Sequence, residues 1–97
     1  GFTMKLLVTL VLLLAPTYAC ALTNEELTVR CQHEGSAKIA AQAKAWNCEP
    51  PEQIRVSHID NRWWNPSKYV WFTAQINCAN DQTTVSKLVQ YYRGKCY

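Results

Sequence analysis

The chain has 97 residues, 48% of them hydrophobic, with ten Lys and Arg against seven Asp and Glu. A chain this short is expected to form one small domain with a limited core, and its net charge of +3 comes without any Lys or Arg run that would mark a nucleic-acid or anionic-membrane patch. It has only three glycines, no Gly-rich phosphate loop, no serine-nucleophile elbow, no Cys-x-x-Cys and no His-Glu-x-x-His, so nothing in it supports nucleotide chemistry, acyl transfer or a cofactor.

Lys5 precedes a largely apolar run from Leu6 to Ala15, followed by Pro16 and the small-residue triplet Ala19-Cys20-Ala21. Basic, apolar and small regions in that order read as a secretory signal peptide cleaved after Ala21. The run is far shorter than the roughly 20 residues that span a bilayer, so no transmembrane anchor is expected. Gly1-Phe2-Thr3 stand before Met4, which reads as the initiator, and are taken as a non-native or upstream start. A lipoprotein would need a small, apolar box before Cys20, which Thr17-Tyr18-Ala19 fits poorly. Residues 22–97 then form the single domain, with a charge of +2 and four cysteines, Cys31, Cys48, Cys78 and Cys96. An even set suits two disulfides in an oxidising compartment, secreted or periplasmic. Asn65-Pro66-Ser67 is blocked as a glycosylation acceptor by its proline, which favours a bacterial setting.

The next element is a helix. Thr23 with Glu26 three residues on forms a capping box, and Glu25 suits the positive end of the dipole. Leu27, Cys31, Gly35, Ile39, Ala43 and Trp46 recur at steps of four or three along one face, among alanines and lysines of high helix propensity. Gly35-Ser36 is the weak point, with a split into two helices as the alternative. Asn47 and Pro50-Pro51 end the element.

Residues 52–60 predict a strand of mixed faces, with Ile54, Val56 and His58 alternating with Arg55, Ser57 and Ile59. Residues 68–78 alternate more cleanly: Val70, Phe72, Ala74, Ile76 and Cys78 toward the core, Tyr69, Trp71, Thr73, Gln75 and Asn77 away from it. The two strands form an antiparallel hairpin whose closed end holds Trp63 and Trp64. The tail, residues 83–93, fits a helical stripe through Val85, Leu88, Val89 and Tyr92, but Thr83, Thr84, Val85 and Tyr91 favour a strand. The strand is preferred, because a two-stranded hairpin is marginal alone and a third strand completes a sheet able to carry the helix. The expected architecture is α+β: an N-terminal helix packed on a three-stranded antiparallel sheet, with two disulfides.

That topology constrains the pairing of cysteines. On one helix Cys31 and Cys48 would be separated by roughly 25 Å of rise, whereas bridged α-carbons lie about 5.5 Å apart. In the hairpin the start of the first strand lies beside the end of the second, so Cys48 meets Cys78 and Cys31 is left for Cys96.

Few residues offer chemistry. Glu34, Arg55 and His58 supply the acid, base and cation a small ribonuclease would need, at spacings that are not diagnostic. Cys31-x-His33 and His58-x-Asp60 are two-ligand fragments, short of the four a structural zinc takes, so no metal is expected. The aromatics say more. Four Trp and four Tyr after residue 21 exceed what one helix-on-sheet core hides. Arg62, Trp63, Trp64, Lys68, Tyr69 and Trp71 make an aromatic and basic patch of the residue types enriched at interface hot spots. One of the two adjacent tryptophans is expected to anchor the loop and the other to face outward. The function expected is a non-enzymatic interaction module of inhibitor, immunity or envelope-accessory type, with a protein partner. A secreted ribonuclease-like hydrolase and a glycan- or peptidoglycan-binding module are the alternatives; no nucleic-acid partner is expected for the leading reading.

Overall fold

The computed structural model describes residues 21–97, so the signal-peptide reading of residues 1–21 lies outside it but for Ala21. Helix α1 (Asn24–Ala45) is followed by β1 (Arg55–Asp60), β2 (Lys68–Asn77), β3 (Gln82–Tyr92) and β4 (Lys95–Cys96). The strands form one antiparallel sheet in the order β1-β2-β3-β4, with α1 packed on one face: an α+β fold.

The helix begins as its sequence dictates. The Thr23 hydroxyl accepts from the Glu26 N–H at 3.1 Å, and Glu26 Oε1 accepts from the Thr23 N–H at 3.3 Å, the reciprocal bonds of a capping box. Its C-terminus closes with Asn47 at φ 55°, Asn47 N–H donating to Lys44 O and Cys48 N–H to Ala43 O. That is a Schellman stop, with asparagine in the left-handed position. Trp46, the last residue of the expected apolar stripe, is the cap itself and is 50% exposed, so the stripe ends at Ala43.

Leu27, Cys31, Ile39 and Ala43 of α1 meet Val70, Phe72, Ala74 and Ile76 of β2 and Val85 and Val89 of β3 in the core. Gly35 does not break the helix, which runs unbroken through it. It lies directly over Phe72: a Cβ at position 35 would sit 2.4 Å from the ring's Cδ2 and 2.6 Å from Cγ. The glycine is what lets helix and sheet approach here.

The mixed faces of β1 resolve into a β-bulge. Val56 pairs with Phe72 and His58 with Trp71, leaving Ser57 as the extra residue. Ile54, Val56 and Ile59 pack against the core, whereas His58 and Asp60 join the opposite face. The strict alternation expected from the sequence, which grouped His58 with Val56, therefore fails at one residue.

The tail is a strand, not a helix, and its partner β2 matches it from Lys68↔Tyr91 to Asn77↔Gln82. The sheet has one strand more than expected. Arg93 and Gly94, at φ 49° and 79°, form a two-residue turn that folds Lys95–Cys96 back onto β3. Positive φ at both central residues is the type I′ geometry that matches strand twist. This short return brings Cys96 to Cys31, with α-carbons 5.5 Å apart, while Cys48 bridges Cys78 across the base of the β1–β2 hairpin at 4.3 Å.

Candidate functional site

The helix covers one face of the sheet and leaves the other open. On the open face β2 presents Tyr69, Trp71, Thr73, Gln75 and Asn77, flanked by Arg55, His58 and Asp60 of β1 and by Leu88 and Gln90 of β3. Trp71 is the centre of the aromatic part. Its ring centroid lies 5.0 Å from His58 and 6.1 Å from Tyr69, tilted by 54° and 43°, and Leu88, 40% exposed, stands opposite it on β3.

From there the patch climbs into the hairpin loop through charges. Asp60 stands across from Tyr69, Arg62 Nε lies 3.4 Å from Asp60 Oδ1, and the Arg62 guanidinium sits 5.6 Å from the centre of the Trp64 ring. Asn65 N–H donates to Arg62 O, closing a turn whose two central residues are Trp63 and Trp64. Lys68 Nζ donates to the same carbonyl, and Ser67 N–H donates to Asn65 Oδ1 at 3.0 Å. Gln90 reaches from β3 to donate to the Ser67 hydroxyl, so polar bonds on both sides fix the loop.

Neither tryptophan is inside. Trp63 is 91% exposed and Trp64 60% exposed, so the expectation of one anchor and one free ring is corrected. Side chains at the two central positions of a tight turn both point away from the chain reversal. The anchoring expected of an indole is done instead by Lys68, Asn65 and Gln90. The six patch residues therefore lie along the loop and the adjoining end of the open face. His58, Asp60 and Leu88 join them without having been assigned to the patch. Their signal in the sequence is weak: His58 and Asp60 share a strand face, and Leu88 arrives only through the β2–β3 register.

The ribonuclease trio does not assemble. Arg55 and His58 stand on the open face, whereas Glu34 lies on the helix side beside Arg30, Gly94 and Lys95. All four cysteines of the described residues are bridged, and no group of three or more His, Cys, Asp or Glu among those residues could hold a metal ion. No helix among them is long and apolar enough to cross a membrane. Comparison with protein families, with curated proteins and with solved structures finds no significant match to this chain.

Proposed function

We propose that this chain is an exported, non-enzymatic binding module that recognises a protein partner through Arg62, Trp63, Trp64, Lys68, Tyr69 and Trp71. The observation that carries the reading is the pair of adjacent indoles, 91% and 60% exposed, at the tip of a loop held by polar bonds on both sides. A loop held in place before binding loses little entropy on association, and tryptophan is among the residues enriched at interface hot spots, where it fills desolvated pockets. The basic, apolar and small-residue order of residues 1–21 supports export, as do the two disulfides. Rings tilted by 43° and 54° favour a contoured protein surface over the flat platform that stacks on sugar rings.

The test is affinity capture with immobilised protein, comparing wild type, Trp63→Ala, Trp64→Ala and, as a control on the exposed helix surface, Val29→Ala. Loss of a hot-spot indole costs about 2 to 4 kcal/mol, so a partner held by wild type and Val29→Ala is expected to bind the tryptophan variants at least about 30-fold more weakly. Equal capture by all four proteins would remove the patch from consideration.

A further inference from the structure

The open face of the sheet has two ends that differ in kind. Arg62, Trp63, Trp64 and Lys68 stand at the closed end of the β1–β2 hairpin. At its base Glu49 bridges Asn77 and so extends the face beyond the start of β1. A groove of about 510 Å³ opens there, with Glu49, Pro50, Pro51, Glu52, Arg55 and Asn77 in its lining. Glu49, Pro50 and Glu52 are exposed, and neither carboxylate has an ion pair among the described residues, where the one such pair is Arg62 with Asp60. Arg55 offsets only one of the two, so the groove is net negative.

The loop end has the opposite sign. Arg62 shares its charge with Asp60 but remains 62% exposed, and Lys68 Nζ donates to a carbonyl, Arg62 O, which leaves its charge uncompensated. Between the two ends lies the apolar centre, Trp71 with His58 beside it and Leu88 across from it. The spacing is close to symmetric about this centre. Asn77 lies six residues beyond Trp71, about 20 Å along β2, whereas Lys68 lies three residues before it, about 10 Å, and the turn adds up to about 10 Å more.

We propose that the partner bound by this face is a second copy of the chain, docked face to face about a two-fold axis that crosses the strands at Trp71; this rests on the reading of Trp63 and Trp64 as a protein-recognition loop. Such an axis turns each strand antiparallel to its copy and keeps one β1–β2 pair over the other. The closed end of each hairpin therefore lies over the base of the other. Trp63 and Trp64 of one copy enter the groove of its partner, where Pro50 and Pro51 offer flat aliphatic surface and Glu49 and Glu52 meet Arg62. The two Trp71 rings pack about the axis with Leu88. An isologous contact needs a surface complementary to itself, and a face basic at one end and acidic at the other meets that need only in this antiparallel arrangement. Three strands about 4.8 Å apart and about 30 Å long present about 450 Å² per copy with their side chains, and two indoles add at least about 300 Å². The total of about 1,500 Å² over both copies is that of a standard stable interface.

Sedimentation equilibrium of the disulfide-intact protein tests this. Wild type is expected to be dimeric at about 100 µM, since interfaces of this size hold at micromolar concentration or below. Trp63→Ala is expected to raise the dissociation constant at least about 30-fold. Arg62→Glu, and separately the double variant Glu49→Lys with Glu52→Lys, are each expected to raise it at least about tenfold. An equimolar mixture of these two charge-reversed proteins is expected to recover the dimer, because both ends of a mixed pair are complementary again, whereas a misfolded variant gains nothing from mixing. A wild type that stays monomeric, a dimer indifferent to Trp63→Ala or to the Glu49 and Glu52 changes, or charge-reversed proteins that do not rescue each other would each overturn the proposal. A monomeric wild type that captures a different protein and loses it on Trp63→Ala would overturn self-docking alone and leave the role of the loop standing; a protein that neither self-associates nor changes what it captures on Trp63→Ala would overturn both.

Discussion

Replacing Gly35 by alanine separates two accounts of that residue that predict opposite signs. In a free helix interior, glycine to alanine stabilises by about 1 kcal/mol, because alanine loses less backbone entropy on folding. Here the added methyl would stand 2.4, 2.6 and 2.8 Å from three atoms of the Phe72 ring, all well inside van der Waals contact. Those atoms are not the tip of a flexible side chain, since Phe72 is 2% exposed and packed in the core. The helix cannot simply lift, because one turn before Gly35 the Cys31–Cys96 bridge ties it to the sheet, and one turn after it Ile39 is fully buried. Relief requires a shift of about 1 Å in ring or helix, and overpacking of that kind costs typically 1 to 3 kcal/mol. With the upper part of that range offset by the helix-propensity gain, Gly35→Ala is expected to destabilise by about 2 kcal/mol. Urea denaturation with both disulfides intact measures it. At a slope of about 1 kcal/mol/M, the midpoint falls by about 2 M. Adding Phe72→Leu should recover part of the loss, so that the double variant is less destabilised than the sum of the two single changes. A Gly35→Ala protein as stable as wild type, or more so, would refute the close-approach explanation.

Two further stability predictions concern the frame around the site. In the loop-entropy account, removing Cys31–Cys96 as a pair of alanines costs about 4 kcal/mol and removing Cys48–Cys78 slightly less, since the sequence separations are 65 and 30 residues; reversed midpoints in thermal unfolding would show that native-state packing, not chain entropy, sets the order. Gly94→Ala places a Cβ at φ 79° with no neighbour within 4 Å, so its cost of about 1 to 2 kcal/mol is purely conformational; amide exchange should show β4 fraying first, and an unchanged β4 would argue against the turn as its determinant.

What the sequence made legible followed from local periodicity combined with covalent geometry. The four-residue step from Leu27 to Ala43 and the alternation of β2 both describe faces that are buried, so their pattern is strong. The cysteine pairing followed because a continuous helix keeps Cys31 from Cys48, which leaves the hairpin to close the other bridge. What escaped was decided by single residues or by neighbours distant in sequence. Ser57 shifts the register of β1 without any change in composition. Lys95–Cys96 is too short to show alternation, and its position depends on two residues of positive φ. Trp46 belongs to the apolar stripe by spacing but falls where Asn47 turns the chain out of the helix. The exposure of both loop tryptophans was hidden for a related reason: the number of aromatics a core can hold is a property of the packed layers, and here Phe72, Leu27 and Ile39 already fill them.

The two bridges are concentric, with Cys48–Cys78 lying wholly within the span closed by Cys31–Cys96. The turn bearing Trp63 and Trp64 is therefore part of a covalent ring whose clasp is at the opposite end of the hairpin. A protease that cuts between the two tryptophans opens this ring without releasing a fragment, because the two halves remain joined through Cys48–Cys78 and again through Cys31–Cys96. A cut in this loop thus costs the molecule a peptide bond at most, and the two halves stay together until both bridges are reduced.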